Sequence, residues 1–234
     1  MSEDALVLVP GLNNTRAVFN GVVAAQPPGM PVHALDNPAL NTVEAIAQVH
    51  LDALPDRFWL TGFSFGGYVA LAMLEAAPER VLGLALVCTA PFADTPEQSQ
   101  KRLTSLEAAR QGRYFEQVKA QAANAFHPDS LANAALMAAR EAMVVDYGVE
   151  RYIAHVQATA ARPDRSHLLD GQHPVLVVGA SHDKVFAPEA LNTWTQRIPG
   201  ARFEQVQGAG HLLPMEQPYA LVKLLTHWMQ GPHA

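Results

Sequence analysis

The chain has 234 residues, 49% of them hydrophobic and 16% charged, which suits one packed domain with room for an inserted subdomain. The net charge of −6 and the lack of any basic run argue against a nucleic-acid partner. Cys88 is the only cysteine, which excludes an internal disulfide.

The opening stretch, MSEDALVLVPG, has acids where a leader peptide needs positive charge. Its ALVLVP run (5–10) is short and apolar and ends at Pro10-Gly11, the pattern of a buried strand. TRAVFNGVVAA then reads as a helix, capped by Asn14 or Thr15. PVHAL (31–35) is a second strand. NTVEAIAQVHLDAL is a helix in which Asn41 and Glu44 have capping-box spacing. RFWLTGF (57–63) is a third strand, followed by a helix from Phe65. VLGLALVCT (81–89) is a fourth strand. Its continuation VLGLALVCTAPFA is the longest apolar run and falls short of the roughly 18 residues of a spanning helix. A cytoplasmic protein with no membrane partner is expected.

Beyond Pro91 the pattern changes. From 91 to 169 only helices are expected, with Gly112, Pro128 and Gly148 as breaks. Val149, Tyr152, Ile153 and Val156 share one helix face. The alternation resumes with strands PVLVVGA (174–180) and ARFEQV (201–206), each followed by a helix. Strands alternating with helices imply crossover connections and a parallel sheet. Near-continuous apolar strands fit burial on both faces. The expected organisation is an α/β core, residues 1–90 and 170–234, interrupted by an all-helical block at 91–169.

Gly62-Phe63-Ser64-Phe65-Gly66 has the spacing G-x-S-x-G at a strand-to-helix junction. There the central residue is strained and its neighbours two positions away lie almost against it, so only small residues fit. The serine hydroxyl is then held at the tip of the turn. The N–H of Phe65 opens a helix, where amides lack an internal acceptor and the dipole favours negative charge.

A serine hydroxyl needs a base, and the base needs an orienting partner. Functional groups gather at the carboxyl ends of parallel strands. Asp183 follows one such strand and His211 another, giving the chain order Ser, acid, His. Gly208 and Gly210 free the His211 loop. Among ten histidines, His182 is the only rival, and it adjoins Asp183. The N–H of Leu12, after Pro10-Gly11, can face the same point as that of Phe65, and two such donors make an oxyanion hole. Asn13 and Asn14 follow, as side-chain donors or as helix caps. No ligand spacing for a metal and no phosphate-binding loop occurs, and no cofactor is expected. Cys88 reads as a buried structural thiol.

The motifs LVLVPGL, GFSFGG, VLVVGASHD and GAGHLLPMEQP together resemble the α/β-hydrolase superfamily over nearly the whole chain. The resemblance implies an α/β-hydrolase fold with about six parallel strands and the helical block as a cap over the site. It implies Ser64 as nucleophile, Asp183 as acid, His211 as base, and Leu12 and Phe65 as oxyanion-hole donors. Two features depart from the pattern: Pro10-Gly11 stands where many members have His-Gly, and LDNPALNT replaces a glycine-rich run after the second strand. The first strand of this sequence is expected to be the first parallel one, with the two leading antiparallel strands of larger members expected to be missing. The expected activity is hydrolysis of a small carboxylic ester through an acyl-enzyme, with a small-molecule substrate as the partner. The same triad also serves C–C hydrolysis, lyase and cofactor-free perhydrolase chemistry, and some members are ligand receptors. An arginine among Arg102, Arg113, Arg140 and Arg151 facing the site would favour a carboxylate-bearing substrate.

Overall fold

Six strands form one sheet in the computed structural model, which describes residues 4–231. They are β1 (Ala5–Val9), β2 (Val32–Ala34), β3 (Phe58–Phe63), β4 (Val81–Val87), β5 (Val175–Ala180) and β6 (Arg202–Val206). The order is β2-β1-β3-β4-β5-β6, and every neighbouring pair is parallel. The strand order reverses between β1 and β3. In open α/β sheets the crevice at such a switch point, beyond the carboxyl ends of the strands, holds the ligand.

Helices cover both faces of the sheet. α1 (Asn20–Ala25), α2 (Val43–Ala53) and α3 (Phe65–Ala76) connect the early strands. Between β4 and β5 lie α4 (Pro96–Ala108), α5 (Tyr114–Ala120), α6 (Ala122–Ala125) and α7 (Ala134–Ala161), and no strand occurs there among the described residues. α8 (Pro188–Thr195), α9 (Leu213–Glu216) and α10 (Pro218–Gln230) complete the chain.

Successive strand residues point to opposite faces, and β1 divides accordingly. Ala5, Val7 and Val9 pack with Ile46 of α2, Val69 of α3 and Leu191 of α8. Leu6 and Leu8 pack with Val22 of α1 and Leu225 of α10. All five β1 residues are buried, as a two-faced strand requires. The expected parallel sheet of six strands is therefore present. Among the described residues no helix is long and apolar enough to cross a membrane.

Two helix starts differ in detail from the sequence reading. The 15–25 segment opens as a 3-10 turn over Arg16–Phe19, and Thr15 is its cap. The capping-box pairing of Asn41 with Glu44 does not form. Thr42 is the cap, its Oγ1 accepting from Ala45 N at 3.2 Å. Glu44 turns instead to Arg165, at 2.5 Å. Arg165 is itself buried and also binds Glu75 at 2.8 Å. A buried guanidinium requires carboxylate partners, and that tertiary demand overrides the local cap.

The segment between β4 and β5 has a small core of its own. Leu106, Ala109, Tyr114, Val144, Tyr147, Tyr152 and Val156 cluster, with Val149 and Ile153 packed against them. Gly112 (φ 81°) and Gly148 (φ 74°) break the helices in the left-handed region that suits glycine. Polar contacts brace this segment internally and join it to the sheet layer. Asp94 binds both Arg102 and Arg162, the latter at 2.8 Å. Arg162 also lies over the Tyr68 ring of α3, 3.8 Å from its centre.

Candidate active site

Ser64 sits between β3 and α3 with φ 51° and ψ −119°, a strained conformation for a residue with a side chain. The glycines around it are required by contact. A Cβ on Gly62 would lie 2.5 Å from Gly66 O and from Gly67 Cα. A Cβ on Gly66 would lie 2.1 Å from Val9 O, so the turn is pressed against the end of β1. Gly67 is as constrained as the two motif glycines: its Cβ would meet Thr89 Cγ2 at 2.4 Å. Nothing in the local spacing identifies that third requirement, because Thr89 arrives from the far end of β4. Ser64 N donates to Val87 O at 2.9 Å, and Ser64 O accepts from Gly67 N at 2.9 Å. Both sides of the strained residue are thus fixed.

The loops after β5 and β6 bring Asp183 and His211 to this turn. His211 Nε2 lies 2.9 Å from Ser64 Oγ, and Nδ1 lies 2.9 Å from Asp183 Oδ2. The other carboxylate oxygen, Oδ1, accepts from Val185 N at 2.7 Å and Phe186 N at 2.9 Å. Burial alone would raise the Asp183 pKa. The adjacent His211 ring and these two amides outweigh it, so the net shift is downward and the carboxylate stays ionised. An ionised carboxylate accepts the Nδ1–H and leaves Nε2 free to accept from the Ser64 hydroxyl. The His211 ring is packed between Phe63 and Phe186.

His182, the rival base, turns elsewhere. Its Nδ1 is 2.8 Å from Ser181 Oγ, and its ring meets that of His127 edge-on. Cys88 is fully buried at the end of β4, with φ 49°. Its thiol, the Asp183 carboxylate and the His211 ring lie within 4.8 Å of one another. Burial, and then the Asp183 charge, push the thiol pKa well up, so Cys88 is a neutral group beneath the pair.

Pro10 to Asn14 form the loop beside Ser64. Asn14 N donates to Gly11 O at 3.2 Å, closing a turn with Asn13 at φ 61°. A left-handed residue at that position is the mark of a type II turn, and asparagine tolerates it. Asn14 is neither the helix cap nor an extra donor to the site, because its Nδ2 donates to Leu12 O at 2.7 Å. The next helical turn is capped by Thr15 instead. Phe65 N is the first amide of α3, where the helix supplies no acceptor. The Phe65 ring stacks on His155 of α7, with ring centres 4.8 Å apart.

Above Ser64 lies a cavity of about 1130 Å³ between the sheet and the helical segment. Leu12, Ser64, Phe65 and His211 line its floor; Phe115, Val118, Met137 and Val144 contribute apolar wall. Of the four arginines singled out above, Arg102 and Arg140 line it and Arg113 and Arg151 do not. Arg102 is already paired with Asp94.

The fold agrees with the comparisons with known proteins. The chain belongs to the alpha/beta hydrolase fold family, whose model matches residues 4–218. A pimeloyl-[acyl-carrier protein] methyl ester esterase from Nitrosomonas europaea is 34% identical over 94 residues, a stretch covering 37% of each chain. The enzyme of the same description from Aromatoleum aromaticum is 23% identical and aligns over 99% of this chain and 100% of its own. Among solved structures, a malate-bound thermophilic esterase from Thermogutta terrifontis superposes with a TM-score of 0.88. It shares 25% identity, with 99% of this chain and 92% of that one covered.

Proposed function

We propose that this chain hydrolyses carboxylic esters through an acyl-enzyme formed on Ser64. It is a carboxylesterase-like hydrolase, and the observation that carries the mechanism is the unbroken chain Ser64 Oγ, His211, Asp183, with 2.9 Å at each link. That chain starts from a strained serine on the floor of a large cavity.

The Ser64 oxygen attacks the ester carbonyl while His211 Nε2 takes the hydroxyl proton. Asp183 holds the ring in the tautomer this requires and stabilises the imidazolium that forms. The carbonyl oxygen becomes an oxyanion, received by the N–H groups of Leu12 and Phe65. His211 then returns its proton to the departing alkoxide, which leaves as the alcohol. Water enters, gives a proton to His211 Nε2, and its hydroxide attacks the acyl-enzyme carbonyl. Collapse of the second oxyanion frees the acid and restores the Ser64 hydroxyl.

A cavity of about 1130 Å³ is at the upper end for small-molecule sites. It suits an ester whose acyl or alcohol part is larger than a few carbons. Two relatives are described as methyl ester esterases of a carrier-bound acyl chain, so methyl esters of medium-length acyl chains belong beside aryl esters in the substrate panel. A fluorophosphonate probe should label Ser64 and abolish turnover, and Ser64→Ala should be unlabelled and inactive. Turnover that survives Ser64→Ala would refute the proposal.

A further inference from the structure

Arg140 lies on α7, within the helical segment, far in sequence from the catalytic loops. Its Nη1 donates to Asn13 O and to Asn14 Oδ1, both at 2.7 Å. These bonds complete a pattern around the loop that carries the Leu12 amide. Pro10 O accepts from Asn37 Nδ2 at 2.9 Å, and Gly11 O accepts from Asn14 N at 3.2 Å. Leu12 O accepts from Asn14 Nδ2 at 2.7 Å, and Asn13 O accepts from Arg140. Four successive carbonyls are each held by a donor.

A trans peptide places C=O and N–H on opposite edges of one rigid plane. Fixing Gly11 O therefore fixes the direction of the Leu12 N–H. Asn14 holds this plane with its backbone and the next carbonyl with its side chain, so the loop is only as rigid as Asn14. Arg140 is what restrains Asn14: it takes Oδ1 and thereby sets which end of the amide faces Leu12 O. The Leu12 side chain packs against the sheet core and the small core of the helical segment alike. A second anchor comes from α7 beyond its break at Gly148, where His155 Nε2 donates to Pro38 O at 2.7 Å.

We propose that Arg140 is a positioning residue for the oxyanion hole: the helical segment, seated on the core, holds the Leu12 amide in place through Arg140 and Asn14. This rests on the reading of Ser64 as nucleophile and Leu12 as oxyanion donor. Its consequence is that the segment over the site contributes to the rate of the chemical step as well as to substrate choice. Arg140 also lacks a carboxylate partner among the described residues. Its two carbonyl acceptors assign it a structural task in the free enzyme, ahead of the carboxylate-binding role suggested by its presence in the cavity wall.

The test compares Arg140→Met, Arg140→Lys and Asn14→Asp with the parent enzyme. The readouts are kcat and KM on a neutral ester and inhibition by a trifluoromethyl ketone, whose Ser64 adduct carries an oxyanion. Loss of a whole oxyanion donor costs about 10²–10³ in rate, so a loosened donor should cost about 10-fold or more. Arg140→Met should lower kcat and ketone affinity together, with KM little changed. Arg140→Lys, with a single nitrogen able to reach both oxygens, should recover part of the loss. Asn14→Asp keeps the acceptor for Arg140 but removes the donor to Leu12 O, and should show the same joint loss. It decides the matter should Arg140→Met fail to fold. Unchanged kcat and ketone affinity would overturn the proposal, as would a rise in KM with kcat intact, which would make Arg140 a substrate-binding group. Ser64→Ala, run alongside, separates this outcome from failure of the nucleophile assignment, because only the latter leaves Ser64→Ala active.

Discussion

Lowering the pH from 7.5 to 5 should destabilise the fold through two buried histidines, His50 and His155. His50 Nε2 meets Asn37 Oδ1 at 2.9 Å, and His155 lies between Tyr147 OH at 2.6 Å and Pro38 O at 2.7 Å. Burial pushes both pKa values down from 6.5 to about 4, the carbonyl of Pro38 offsetting a part for His155. The unfolded chain takes up each proton near pH 6.5, whereas the native state resists it until near 4. Between these values the unfolded state binds more protons, so stability falls as pH falls. At pH 5 the linkage gives about 2 kcal/mol for each ring, and below pH 4 about 3 kcal/mol each. Urea unfolding followed by tryptophan fluorescence at pH 7.5 and 5 should therefore show a loss of about 4 kcal/mol. His50→Gln and His155→Gln should each remove about half of that pH-dependent difference, whatever they cost at pH 7.5. A parent protein as stable at pH 5 as at 7.5, or variants that keep the full difference, would refute the assignment of both rings as buried and neutral.

Three further outcomes are expected. Gly66→Ala should cost at least about 1–3 kcal/mol, because its methyl would meet the Val9 carbonyl, and the thermal midpoint will register it. Asp94→Asn should cost about 3–5 kcal/mol in urea unfolding by leaving the buried Arg162 guanidinium without its carboxylate partner, and an unchanged midpoint would count against that cluster as a brace of the segment. Cys88, buried and with its thiol pKa raised, should resist a thiol-specific disulfide reagent in the native protein and react on unfolding, and prompt native labelling would contradict its placement.

The relation of this segment to the core has a thermodynamic side. Arg162, Arg140 and His155 each touch the core: the Tyr68 ring of α3, the Asn13–Asn14 loop and the Pro38 carbonyl, respectively. Perturbing any one of them loosens the seat shared by the others, so their effects should couple in double-mutant cycles. His155 adds a contact of a different kind, since it stacks on Phe65, whose amide opens α3.

The sequence by itself determined the sheet and the turn at Ser64. Apolar runs of strand length and alternating helices are local signals, and they describe a parallel sheet without any knowledge of partners. The glycines at 62 and 66 are legible because the steric demand of the turn is also local. The order of Ser64, Asp183 and His211 pointed to one site, but their meeting at 2.9 Å rests on where three separate loops end. Tertiary structure alone decided the rest. Gly67 is needed because Thr89 crosses over it, Thr42 displaces Asn41 as a cap because Arg165 claims Glu44, and Asn14 serves Leu12 because Arg140 reaches it from α7. Each depends on a contact between residues distant in the chain, and neither periodicity nor spacing records which of many side chains will fill a given position.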